Sequence, residues 1–211
     1  MKLEDLKNAG KNLLFFTKSS LSLLEKDSNN LSANLKYWLR SGDIIALKKG
    51  FYILSDNYRQ EPDKTKYLEY LANNLLTPSY LSLEYVLSKY QLLTESSQAL
   101  TLVSRRSSRT FFSSLAVWRY YALPERLFNG YQISYFKNQP IAEASKAKAL
   151  FDFLYLRFRR GPEPSQTALD NLRVNWENIS SSDKKELFCY FQRLSGRRWK
   201  KLIIIIEKYV A

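Results

Sequence analysis

Apolar residues recur at helical spacing near the start of the chain. The stripe consists of Leu21 and Leu24, then Leu31, Leu35, Trp38 and Leu39. Polar residues at positions 26–29 interrupt it, as a turn would. The pattern predicts two short helices separated by a turn, each with one buried side. Asp27 or Ser28 is the expected N-terminal cap of the second helix, and Gly42 is its expected C-terminal cap.

Residues 44–54, IIALKKGFYIL, follow the second helix. Two β-rich runs surround Lys48-Lys49-Gly50, which predicts a hairpin with a basic turn. Another helix is expected over residues 2–14, where leucines are available to pack beneath the hairpin. These elements predict a winged helix-turn-helix over residues 1–56. The stretch from Ser55 to Lys64 is rich in turn-forming residues and is expected to be a linker.

The remainder, residues 65–211, is predicted to be a second domain that mixes helices and strands. Helices are expected over residues 67–75, after Ser82 and over residues 141–160, with further helices towards the end. The predicted strands are Ala99–Val103, Ala116–Tyr121, Tyr131–Phe136 and Pro140–Glu143. The predicted fold class is therefore α+β, with an N-terminal winged helix-turn-helix. An α/β domain with a small, mostly antiparallel sheet and C-terminal helices follows it.

The net charge of the chain suggests a binding partner. The chain has 33 basic and 20 acidic residues, a net charge of +13. Residues 98–160 alone contain eleven basic and three acidic residues, so the largest excess lies outside the winged helix. A strongly basic surface favours an acidic partner, and nucleic acid is the first candidate.

Composition also excludes several chemistries. The chain has no histidine, which excludes a Ser-His-Asp triad, a Cys-His pair and any histidine-ligated metal site. Cys189 is the only cysteine, so no intramolecular disulfide is possible. We expect no metal and no cofactor. The start lacks the apolar run of a signal peptide, and the run from Leu202 to Ile206 is too short to span a membrane. We therefore expect a cytoplasmic protein, monomeric or dimeric, without a membrane partner.

The predicted DNA-binding residues lie on the polar side of the second helix and around it. They are Asn29, Asn30, Ser32, Lys36 and Arg40 on the helix, with Lys18, Lys48 and Lys49 beside it. Asparagine can hydrogen-bond adenine edges and lysine can bond guanine in the major groove. The flanking lysines are expected to contact phosphates. The alternative is a solvated helix–hairpin domain that does not touch DNA.

Arg105, Arg106 and Arg109 form a second basic cluster, in a predicted turn of the second domain. Arginine grips phosphate and carboxylate equally well, so the residue type does not identify the partner. Phosphates, an acidic protein or a nucleotide-binding toxin would each fit this second basic surface. A solvated turn is the alternative.

Four strings occur in an order that resembles a known family. They are LKKGFYIL, SYLSLEYVLSKYQLL, LVSRRSSRTF and IAEASKAKALFDFLYL. This succession, within residues 1–160, resembles the AbiE-type antitoxins of type IV toxin–antitoxin systems. The resemblance implies a transcriptional regulator that represses its own operon by binding operator DNA and counteracts a cognate nucleotidyltransferase-type toxin. The matching positions are Lys48, Lys49 and Gly50 and the arginines Arg105, Arg106 and Arg109.

Two alternatives remain open beside this expectation. One is a protein-interaction antitoxin that neutralises a nucleotidyltransferase toxin without binding DNA. The other is a degenerate restriction-endonuclease-like protein that uses Glu84, Glu143 and Lys146. Such nucleases place a Glu-x-Lys pair on one face of a strand to hold a divalent metal, and that spacing is missing here. We therefore expect no enzymatic activity.

Overall fold

The computed structural model describes residues 1–10, 13–95 and 97–210. We call residues 1–54 the N-terminal unit, which contains three helices and a three-stranded sheet. Its elements are α1 (Leu3–Gly10), β1 (Phe16–Thr17), α2 (Lys18–Leu21), α3 (Ser28–Ser41), β2 (Ile44–Lys48) and β3 (Phe51–Leu54). Strand β3 lies between β1 and β2 and is antiparallel to both. The first helix ends at Gly10, earlier than predicted, and residues 11 and 12 of that prediction lie outside the described residues.

The second unit comprises residues 55–210. Its elements are α4 (Ser55–Gln60), α5 (Lys64–Leu75), β4 (Ser79–Leu81), α6 (Leu83–Lys89), β5 (Leu100–Ser104), β6 (Arg109–Phe112), β7 (Val117–Ala122), β8 (Tyr131–Phe136), β9 (Gln139–Ala144), α7 (Lys146–Phe158), α8 (Gln166–Asp170), α9 (Ser181–Gln192) and α10 (Arg197–Val210). The prediction of a mixed helix-and-strand chain with C-terminal helices is confirmed.

The six-stranded sheet is larger and more mixed than predicted. Its order is β6-β7-β5-β4-β9-β8. The β4–β9 and β5–β7 pairs are parallel, and the other three pairs are antiparallel. Two of its strands were missed. Strand β4 lies in a segment predicted to lead into a helix, and β6 begins at Arg109, where a basic turn was expected.

The expected linker is instead helical and packed. Helix α4 begins directly after β3, and only Glu61–Asp63 separate it from α5. The β2–β3 hairpin belongs to both units, because its Leu47 and Ile53 are fully buried in the same core as the large sheet. A smaller core beneath α3, around Trp38, belongs to the N-terminal unit alone. The two units therefore share a packed boundary.

A buried ion pair lies in the first two turns of α7. The Lys148 Nζ atom lies 2.6 Å from Oδ1 of Asp152, and both side chains are 0% exposed. The ammonium also donates to the Leu127 carbonyl at 2.7 Å. The hydroxyls of Tyr80 and Ser82 both donate to Oδ2 of Asp152 at 2.9 Å. Burial lowers the pKa of Lys148 and raises the pKa of Asp152. The sequence analysis did not predict this network, although Lys148 and Asp152 lie four residues apart in a predicted helix.

The four consecutive isoleucines near the end of the chain lie in α10, one of the helices expected in this region. Leu202 and Ile206 of α10 are fully buried, whereas Ile204 is exposed. Among the residues described, no helix has both the length and the apolar character needed to cross a membrane.

Candidate nucleic-acid interface

Helix α3 is bounded by the two residues that the sequence suggested. The Asp27 carboxylate accepts hydrogen bonds from the backbone N–H groups of Asn29 and Asn30, at 2.8 and 3.1 Å. Gly42 ends the helix in the left-handed conformation, with φ of +79°. A capped start and a glycine end satisfy backbone groups that the helix itself leaves unpaired.

The buried side of α3 is narrower than the sequence predicted. Leu31, Leu35 and Trp38 are buried, but Leu39 is 38% exposed. Leu24, expected to be buried with Leu21, is 53% exposed. The helix therefore rests on three side chains, and a broad face remains open to solvent.

Four of the five predicted DNA-contacting side chains of α3 lie on its open face. Asn29, Asn30, Lys36 and Arg40 are all exposed. Ser32 is half-buried and is already bonded, because its hydroxyl donates to the Ser28 carbonyl at 2.6 Å. The exposed group offers two amides and two cations along one helix, which is the set of donors and acceptors that base edges and phosphates require.

Lys18 connects α3 with the hairpin turn. Its Nζ atom donates to the Ser32 hydroxyl at 2.9 Å. Its backbone N–H donates to the Gly50 carbonyl at 3.2 Å. The start of α2, the first turns of α3 and the tip of the hairpin are therefore neighbours. Of the two turn lysines, Lys49 is exposed.

Lys48 is half-buried, whereas the sequence suggested a fully solvated side chain. Its ammonium donates to the Leu75 carbonyl at the end of α5. It also lies 5.2 Å from the ring centroid of Phe111 and 5.7 Å from that of Phe51. Burial lowers the pKa of Lys48, and the nearby Arg109 and Arg106 lower it further. Lys48 therefore connects the hairpin to the second unit through a hydrogen bond.

The three arginines of the second basic surface have different surroundings. Arg105 forms an ion pair with Glu125 at 2.6 Å. Arg106 and Arg109 are exposed, and no ion pair to either occurs within the described ranges. Because β6 packs beside β2, these two arginines lie next to the hairpin. Sequence reasoning treated the hairpin and this cluster as separate surfaces. The apolar pair Phe111–Phe112 was the available sign of a strand there.

Two of the three residues considered for a nuclease site form ion pairs with other side chains. Glu143 pairs with Lys89 at 2.5 Å, and Lys146 pairs with Asp183 at 2.7 Å. Glu84 lies on α6 and shares no ion pair with either of them in the described part of the chain. Within the described residues, no group of three or more carboxylate or cysteine side chains could hold a metal ion.

No protein-family model and no curated protein matches this sequence.

Proposed function

We propose that the protein is a DNA-binding transcriptional repressor of its own operon. In this proposal the N-terminal unit is a winged helix-turn-helix and α3 is its recognition helix. The element order of three helices and three strands, with β1 beside β3, supports this assignment. The observation that carries the proposal is the exposed polar face of α3 above its small apolar core.

The proposed docking differs from the one suggested by the sequence. Asn29, Asn30, Lys36 and Arg40 face the major groove, while Lys49 approaches a phosphate from the hairpin turn. Lys18 orients the first turns of α3 through Ser32. Lys48 takes no part in the contact. A basic net charge of +13 adds a sequence-independent attraction to the duplex.

We expect the protein to retard DNA taken from immediately upstream of its own gene, and higher salt to weaken this binding. Replacing Asn30 or Lys36 with alanine should reduce the preference for that DNA over a random duplex by about 1–3 kcal/mol. The physical reason is loss of contacts to base edges. Asn171→Ala and Lys185→Ala, at exposed positions of the second unit, are the matched controls and should change nothing. Equal preference in all four variants would contradict the role given to α3.

A second function, that of a protein-interaction antitoxin, is favoured by the opposite edge of the large sheet. Strand β8 is the edge strand farthest in the sheet order from β6, and it carries no charged residue. Tyr131, Ile133 and Tyr135 alternate along it and are 41%, 48% and 63% exposed. An uncovered apolar edge strand is a surface suited to a protein partner. The partner implied by the family resemblance is a nucleotidyltransferase-type toxin.

Replacing Ile133 with lysine should therefore abolish protection against such a toxin while leaving DNA binding intact. The reason is that a charge placed on the apolar row opposes its burial. Gln132→Lys is the matched control. It introduces the same charge at the neighbouring exposed position, which points to the other side of the strand. Growth of cells that co-express toxin and variant measures the effect. Full protection by Ile133→Lys would remove β8 from the antitoxin surface.

A further inference from the structure

Three cations meet where the hairpin of the N-terminal unit packs against β6. Arg109 and Phe111 lie on the same side of β6. Arg109 pairs with Tyr120 of β7, and Phe111 pairs with Trp118. That is the side on which the Lys48 ammonium lies 5.2 Å from the Phe111 ring. Burial lowers the pKa of Lys48, and the positive charges of Arg109 and Arg106 lower it further. Strand packing therefore gathers positive charge at this boundary.

Within the described residues, no carboxylate forms an ion pair with Lys48, Arg106 or Arg109. Arg105, by contrast, is neutralised by Glu125 at 2.6 Å. Like charges held together without a counter-charge repel one another, and a bound anion relieves that repulsion. Because Lys48 is turned inward and occupied by the Leu75 carbonyl, the groups that remain for an outside anion are the exposed guanidinium groups.

This cluster is continuous with the exposed face of α3. Ser32 of α3 bonds to the Lys18 ammonium, and the Lys18 N–H bonds to the Gly50 carbonyl in the hairpin turn. Lys49 and Lys48 precede Gly50, and Lys48 reaches the ring of Phe111. These contacts connect the first turns of α3, through the hairpin, to β6.

We propose that Arg106 and Arg109 form a phosphate-binding site of the second unit, which grips the backbone of the same duplex that α3 reads. The site rests on the proposed function and extends it, because it places part of the DNA interface outside the winged helix. Lys49 is exposed in the hairpin turn that connects the two parts. Guanidinium groups hold phosphate oxygens in bidentate fashion, and such contacts fix register without reading sequence.

The test measures how duplex affinity depends on salt. Arg106→Gln/Arg109→Gln is compared with the wild type and with Arg197→Gln/Lys201→Gln, a control that removes the same charge at exposed positions of α10. Fluorescence anisotropy is recorded with the upstream duplex and with a random duplex between about 50 and 200 mM salt. Two lost phosphate contacts should reduce the slope of log affinity against log salt by about 2, equally for both duplexes. The control should keep the wild-type slope.

Three outcomes would overturn the inference. A wild-type slope in Arg106→Gln/Arg109→Gln, with α3 variants still losing sequence preference, would refute the phosphate site and leave the repressor proposal standing. A loss confined to the upstream duplex would mean that the arginines read bases. Failure of the wild type to bind any duplex would refute the repressor proposal and the site with it. Unchanged thermal melting of the variant is required, and the exposure of both side chains makes it the expected result.

Discussion

Replacing Asp152 with asparagine is expected to lower the free energy of unfolding by about 3–5 kcal/mol. The substitution keeps the shape and an oxygen that can accept from Tyr80 and Ser82. It leaves the Lys148 ammonium, 0% exposed, without its counter-charge. Lys148→Met should also lower the free energy of unfolding, because it leaves a buried carboxylate without its ammonium. Urea denaturation, followed by circular dichroism, measures both changes.

The double variant Lys148→Met/Asp152→Asn separates the cost of an unpaired charge from the cost of altered packing. It removes both charges while retaining an acceptor for the two hydroxyl donors. We therefore expect it to be more stable than either single variant. Its loss of unfolding free energy should be smaller than the sum of the two single losses by more than about 1 kcal/mol. Simple addition of the two single effects would show that the groups do not depend on each other.

A surface pair provides the matched control. The Lys7 Nζ atom lies 2.8 Å from Asp56, nearly the same distance as in the buried pair, but both side chains remain more than 40% exposed. Water screens such a pair and solvates either partner when the other is removed. Lys7→Met should therefore change the unfolding midpoint far less than Lys148→Met. Equal effects would mean that burial does not control the cost at Lys148.

The sequence allowed α3 to be predicted almost residue by residue, because its determinants are local. Asp27 caps its start, Gly42 ends it, and Leu31, Leu35 and Trp38 repeat at helical spacing. Each of these signals acts within a few residues along the chain. The exposure of Asn29, Asn30, Lys36 and Arg40 follows from the same spacing, once the buried stripe is known. The hairpin turn was equally local, since Gly50 takes the left-handed conformation there.

Positions that depend on distant partners were not predictable in this way. Strand β4 has only three residues, and its neighbours β5 and β9 come from different parts of the chain. Such a short strand has too little periodicity to distinguish it from the start of a helix. Lys48 illustrates the same limit at the level of one side chain. A lysine at a hairpin turn is normally solvated, and only the packing of β6 and α5 against the hairpin turns it inward.

The shared core leads to the second large effect, at Leu47. This side chain belongs to the N-terminal hairpin, but it is 0% exposed and packs in the core of the large sheet. Leu47→Ala should cost about 2–5 kcal/mol, through lost burial and the cavity left behind. We expect backbone amides in both α3 and β5 to lose protection from hydrogen exchange together, because the hairpin connects the two units.

Leu35→Ala is the control, since Leu35 packs only in the smaller core beneath α3. A similar number of atoms is removed, but amides of β5 should keep their protection while those of α3 lose it. If Leu47→Ala also spared β5, the hairpin would not link the stability of the two units. If the expected pattern is observed, the position of α3 relative to Arg106 and Arg109 is maintained by the shared core around Leu47 and Ile53. Under the proposed function, loosening that core would weaken DNA binding even though no side chain on the binding surface had changed.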